Sequence, residues 1–132
     1  MCFDYEYNNE FQSSAVQKAR KVHKCDCCRC AIAIGSHYLY ESGKCEGDLF
    51  TVKTCRRCLY DIARIVAHEH LEGCTGQEAW PSVDDVGDYL IETEWGGGRT
   101  AIENVPTDFD VKRDWPYGII DRLETQMEEA AK

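Results

Sequence analysis

The chain lacks any apolar run of the roughly eighteen residues needed to cross a bilayer. It has only three prolines and two methionines, and shows no internal repeat and no low-complexity tract. It contains no Ser-His-Asp set, no phosphate-binding glycine loop and no nucleotide fingerprint. The run Gly96-Gly97-Gly98 has no Lys-Ser/Thr after it and reads as a hinge. The start, Met1-Cys2-Phe3-Asp4-Tyr5-Glu6, is acidic and has neither the basic nor the apolar segment of a secretory signal, so the expected location is the cytoplasm. At 132 residues, with 43% hydrophobic and 30% charged positions, one small domain with a modest core is expected. A bound metal would help such a chain fold.

Cysteine, by contrast, is abundant. Nine cysteines is an odd number, so complete internal pairing is excluded. In a reducing compartment such density points to metal rather than to disulfides. Cys25 and Cys28 form one C-x-x-C pair, and Cys55 and Cys58 form a second. Two residues between cysteines let a tight turn aim both sulfurs at one ion, and two such pairs supply the four thiolates of a tetrahedral zinc site. Arg56, Arg57 and Lys53 lie beside the second pair, where they offset thiolate charge. Cys27 and Cys30 are also three apart, so either register is open on spacing alone. Cys27, Cys30 and Cys45 are candidate ligands of an additional metal, or simply thiols near the site. Cys2 and Cys74 have no partner by spacing.

The hydrophobic pattern supplies the scaffold. Residues 13–22 suggest a short basic helix capped by Ser13 or Ser14. Residues 37–42 and 49–54 read as two strands joined by a turn at 43–48, an antiparallel hairpin. Leu59, Ile62, Ala63, Val66, Ala67 and His70 share one face of a helix that opens at Cys55, with Thr54 as N-cap and Gly73 or Gly76 as its end. The second thiolate pair therefore sits at a helix N-terminus, where backbone amides and the helix dipole favour negative charge. Beyond it, Trp80-Pro81 is a turn and residues 82–93 form a short acidic helix. Residues 99–113 are loop or strand, and a last helix starts at Asp114-Trp115-Pro116. The expected fold is a small α+β zinc-bound treble clef (knuckle, β-hairpin, helix) with an α-rich acidic extension. Its parts are an N-terminal arm at 1–19, the zinc domain at 20–73 and the extension at 74–132.

The pattern Arg20-Lys21-x-His23-x-Cys25-x-x-Cys28-x-x-x-Ile32-x-x-Gly35-x-x-Tyr38, then Ser42-Gly43, then Lys53-Thr54-Cys55-x-x-Cys58, resembles a group of small zinc-finger proteins of bacteriophages and prophages. The resemblance covers residues 18 to about 66 and implies a fold and a phage-like origin, hence a host bacterial cytosol, but no activity. It also implies the register: Ile32, Gly35 and Tyr38 fall at the family's offsets only if Cys25 and Cys28 form the knuckle.

An enzyme is not expected. Nucleases built on related zinc folds place a histidine base on the hairpin and a further His or Asn on the helix. His37, His68 and His70 do not match that spacing, and four cysteines close a zinc site. His23 is expected to pack or hydrogen-bond beside the knuckle rather than ligate.

The net charge of −9 is unevenly spread: −3 over residues 1–17, +5 over 18–64 and −11 over 65–132. Two binding functions follow. The first is a protein-interaction module acting on a host protein, either as an inhibitor or with its acidic half mimicking nucleic acid. Trp80, Trp95 and Trp115 would serve as contacts or as core. The alternative is a nucleic-acid-binding finger using the basic face of residues 18–64, through Lys21, Lys24, Arg29, Arg56 and Arg57 with Lys18, Arg20 and Arg64.

Overall fold

The computed structural model describes residues 9–45, 47–74, 80–81, 85–92 and 99–130. It is a small α+β structure. Strand β1 (Asn9–Lys18) pairs antiparallel with β4 (His37–Cys45), which pairs antiparallel with β5 (Asp48–Thr54), giving a three-stranded sheet in the order β1-β4-β5. A separate two-stranded ribbon, β2 (His23–Lys24) with β3 (Ala31–Ile32), carries the first cysteine pair in its turn. Helix α1 (Arg56–Leu71) follows directly from β5. Helices α2 (Val86–Glu92), α3 (Val111–Asp114) and α4 (Tyr117–Ala130) form the second half.

The first departure from the sequence expectation is β1. Residues 13–18 form strand, not helix, and Ser13 to Lys18 run in unbroken register against Ser42 to His37. Ala, Gln and Lys favour helix, but propensity is a weak prior, and a neighbouring strand offering a full row of backbone partners overrides it. Val16 packs on the core, and the Ser13 and Ser42 hydroxyls share a 3.0 Å hydrogen bond across the pair.

The hairpin is present but longer than expected, with β4 running to Cys45 and β5 starting at Asp48. Gly35 precedes it at φ 89°, a left-handed conformation that suits glycine, and its N–H donates to the Ala19 carbonyl. The α1 N-cap is Cys55, not Thr54; its backbone is extended and no side chain caps the helix. Thr54 instead ends β5, and its buried hydroxyl has no hydrogen-bond partner among the described residues. The helix ends at Leu71 with Gly73 at φ 101° just beyond, as the glycine position implied. Cys74, to which spacing gave no partner, is buried and disulfide-bonded, a departure from the reading of the cysteines as metal ligands rather than disulfides.

The main core is the inner face of α1 (Leu59, Ile62, Ala63, Val66) against α2 and α4 (Leu90, Ile119, Ile120, Leu123). The last helix is split. Asp110 caps α3 by accepting from the Lys112 and Arg113 amides, and a cis Trp115–Pro116 bond separates α3 from α4. Residues 99–110 hold a single 3-10 turn at Ile102–Asn104 and no strand. Trp80 and Trp115 meet edge-on, 5.6 Å between ring centroids, and pack on the main core, which is the core role weighed above for these rings. Trp95 lies outside the described residues, as do residues 82–84 and 93 of the expected acidic helix.

Candidate metal centre

The turn between β2 and β3 is fixed by backbone hydrogen bonds. The Cys25 N–H donates to the Cys30 carbonyl at 2.9 Å, and the Arg29 N–H donates to the Cys25 carbonyl at 2.9 Å. Arg29 takes a positive φ of 65° to close it, a place that glycine would occupy without strain. Asp26 pins the turn to the hairpin: its N–H donates to the Lys53 carbonyl at 2.8 Å, and the Lys53 N–H donates to Asp26 Oδ2 at 2.7 Å. This clamp sets the first cysteine pair against the end of β5, where the second pair begins.

Cys25, Cys28, Cys55 and Cys58 come together so that all four sulfurs lie within 4.8 Å of one another. Cys25 and Cys58 are buried, and Cys28 and Cys55 half-buried. The Sγ–Sγ distances are 3.8 Å for Cys25–Cys58 and 3.6 Å for Cys28–Cys55. A metal–sulfur bond of about 2.3 Å in a regular tetrahedron places sulfurs about 3.8 Å apart. These two distances match that spacing, and the remaining pairs stay within 4.8 Å. The Cys55 N–H, at the start of α1, donates to Cys25 Sγ at 3.3 Å.

The four thiols are also coupled electrostatically. Hydrogen bonds from Cys55 and then Cys58 drive the Cys25 thiol far below its usual range. The same bonds work against the neighbours: the bond to Cys25 pushes Cys55 up to about 12 and drives Cys58 up as well. One thiolate is therefore solvated by the S–H groups of the others, and a bound cation would let all four ionise together.

Cys27 and Cys30 are near this group but outside it, and each faces a guanidinium. Arg99 Nη1 lies 3.4 Å from Cys27 Sγ and 3.4 Å from Cys58 Sγ, and its Nη2 donates to the Cys27 carbonyl at 3.2 Å. Arg57 Nη2 is 3.8 Å from Cys30 Sγ. A hydrogen bond with Cys58, and then Arg99, lowers the Cys27 thiol to about 7. Cys45 ends β4 opposite Asp48, six residues from Leu39, which pairs with Thr54. At about 3.3 Å per residue that puts its backbone roughly 20 Å along the strand, at the far end of the hairpin from Cys55. The candidates for an additional metal are thus not gathered at one place.

The predicted basic face is only partly present. Lys21, Lys24 and Arg29 are exposed at the knuckle. Arg56 is turned inward: it donates to the Pro106 and Phe109 carbonyls and stacks over the Phe109 ring at 5.1 Å. Arg64 bonds Asp61 at 3.0 Å and the Thr100 hydroxyl at 2.5 Å. His23 packs on Tyr38, centroids 5.2 Å apart, and is not among the four gathered residues. His70 Nδ1 pairs with Glu124 Oε1 at 2.5 Å, tying α1 to α4.

Sequence reasoning missed Arg99, Asp61 and Thr100. Asp61 is completely buried, and both its oxygens accept from the Thr100 N–H at 3.2 Å. The signal open to inspection was that Asp61 interrupts the apolar face of α1 next to Ile62, and that Arg99 is a rare base in an acidic half. A shallow groove of about 200 Å³ opens beside Cys28 and Cys55, lined by Ala31, Ala33, Arg57 and Ile102 among others.

The chain matches no protein-family model, no curated protein and no solved structure. Among the described residues no helix is long and apolar enough to cross a membrane.

Proposed function

We propose that the protein is a treble-clef zinc module that works by docking on another protein, a host protein in the phage setting that its sequence resemblance implies. The zinc is structural, the chain is not an enzyme, and it works in the host cytosol. The observation that carries this reading is the donor set: four sulfurs at tetrahedral spacing leave a bound zinc no open position for a substrate or a water. The order of ribbon, hairpin and helix, with the second pair opening α1, is the order of a treble clef.

The surface supports a protein partner. Ile34 and Ile102 are 66% and 69% exposed, and Ile102 lines the groove beside the metal centre. Such positions suit an apolar anchor from a partner chain. Arg56 and Arg64 spend their charge inside the fold, which thins the phosphate-binding face. The exposed acids of α4, Asp121, Glu128 and Glu129 among them, give the inhibitor or nucleic-acid-mimic version of the same function.

One observation favours nucleic-acid binding as the second reading. Lys21, Lys24 and Arg29 stand exposed together at the knuckle, and Arg29 occupies a left-handed position at a conformational cost of about 1–2 kcal/mol. A cation kept there against that cost suits contact with a phosphate.

The test is a tagged pull-down from bacterial lysate, run with and without nuclease, with the zinc content of the eluate recorded. One stoichiometric protein that survives nuclease and is lost with Ile34→Glu/Ile102→Glu supports the protein reading. Recovery of nucleic acid that is lost with Lys24→Glu/Arg29→Glu overturns it in favour of the second.

A further inference from the structure

Arg99 belongs to the acidic half of the chain, yet it reaches the metal centre. Residues 65–132 contain only five bases against sixteen acids, and this one lies against two of the cysteine sulfurs. Its fork spans Cys58 Sγ, Cys27 Sγ and the Cys27 carbonyl. Three features hold it there. Thr100, the next residue, is locked to Asp61 through its N–H and its hydroxyl, the latter at 2.5 Å. Arg64 bonds both Asp61 and Thr100, so the buried carboxylate is satisfied on both sides. Gly87 of α2 faces the guanidinium, and a Cβ there would meet Arg99 Nη2 at 3.4 Å, so glycine makes room for the planar group. Arg56 ties Pro106 and Phe109 to the first turn of α1 from the other side. The segment 99–109 is thus fastened along α1, with one cation aimed at the thiolates.

We infer that Arg99 is a positioning residue of the metal centre: it offsets thiolate charge at Cys58, holds Cys27 out of the ligand set, and thereby slows metal release. The inference rests on the zinc reading above. Four thiolates on one divalent ion leave a centre with excess negative charge, and a fixed guanidinium beside one sulfur lowers the cost of concentrating it. Cys27 is held by the same fork, so it is kept from exchanging with Cys58 at the ion. The arrangement also gives the acidic half a direct electrostatic stake in the metal, because the group that stabilises the thiolates comes from beyond α2.

The experiment loads the full chain with zinc and follows transfer of the ion to a chromophoric chelator, in parallel with the thiolate-to-metal absorption of the cobalt-substituted protein. Arg99→Gln is expected to release zinc about tenfold faster and to shift the cobalt charge-transfer band, since loss of an outer hydrogen bond costs about 10–100-fold in metal affinity. Arg99→Lys keeps the charge without the fork and should fall between. Arg122→Gln, whose guanidinium pairs with Asp108 and Asp114 rather than with any cysteine, should release zinc at the parental rate. Equal release rates and an unmoved cobalt band for Arg99→Gln would overturn the inference. If that variant does not fold, Arg99→Lys decides: faster release supports the assignment and the parental rate overturns it. Failure of the underlying zinc reading looks different, because the parental chain would then hold no stoichiometric metal.

Discussion

Two cores divide the molecule, and they are held in different ways. Around the metal centre the buried set is Ala19, Cys25, Ile32, Tyr38 and Cys58. Across helix α1 the buried set includes Leu59, Ile65, Val66, Val86, Leu90, Ile119, Ile120 and Leu123. Adjacent residues of one helical turn serve the two: Cys58 faces the first and Leu59 the second. Each ordered residue costs about 1–2 kcal/mol in backbone entropy. Each large buried apolar side chain returns about 1.5–3 kcal/mol. Ile32 and Tyr38 alone cannot fix the stretch from Ala19 to Ile32, whereas the α1–α2–α4 core has enough apolar surface to hold itself. On the proposed zinc reading the knuckle side depends on an ion, and the helical side on burial.

The largest effect should come from breaking the first core. Cys58→Ser leaves three thiolates and should abolish stoichiometric zinc binding. Structural zinc contributes about 10–16 kcal/mol in finger peptides, which matches or exceeds the whole net stability of a domain. Hydrogen exchange on this variant should show lost protection at His23–Lys24 and Ala31–Ile32, with amides at Ile119 to Leu123 still protected. Uniform loss across both regions would show one cooperative unit and end the division. Retention of zinc with an unchanged melting temperature would remove the metal centre itself.

A smaller effect is expected at the joint between the regions. Asp61 is buried with Thr100 and Arg64 as its partners; Asn in its place carries no charge opposite the guanidinium and turns an NH2 group toward the Thr100 N–H. Removing one partner of a buried ion pair costs about 3–5 kcal/mol. Asp61→Asn should lower stability toward that range in urea melts. It should also quicken zinc release, because Thr100 no longer sets Arg99. A stability loss with parental zinc release would mean that the two regions touch here without being coupled.

This joint marks where the sequence stopped being readable. The four gathered cysteines were legible because two C-x-x-C pairs bracketed a hairpin-length insert, with the register implied by the family resemblance, and α1 because its apolar positions repeat with a helical period. These signals are local. β1 was misread because pairing with β4 joins residues such as Ser13 and Ser42, and no pattern within 13–22 reports that partner. Arg99 and Asp61 were missed for the same reason: a lone base and a lone acid acquire meaning only when the fold brings them across α1. Arg56 and Arg64 read as surface charge by type, and only their carbonyl and carboxylate partners reveal them as internal ties.

The smallest effect tests the helical side alone. Asp114 sits at the junction of α3 and α4. It accepts from Arg113 Nε and Nη2, each at 2.9 Å, and from the Asp110 N–H at 3.1 Å. The bonds from Arg113 hold its carboxyl at about 2, below the ordinary 3.8. A carboxyl depressed in the folded state stabilises fully above its unfolded value, and the contribution fades as pH falls through the folded one. The measurement belongs in the Cys58→Ser background, where a stoichiometric metal site no longer titrates, with helix signal followed in urea. At about pH 6 the Asp114→Asn variant should melt earlier than its parent, and only below about pH 2 should the two midpoints converge. A gap that stays constant over that range would assign the residue a steric role instead of an ionic one. Loss of all helix signal in the Cys58→Ser parent would show that burial does not hold this half without the ion.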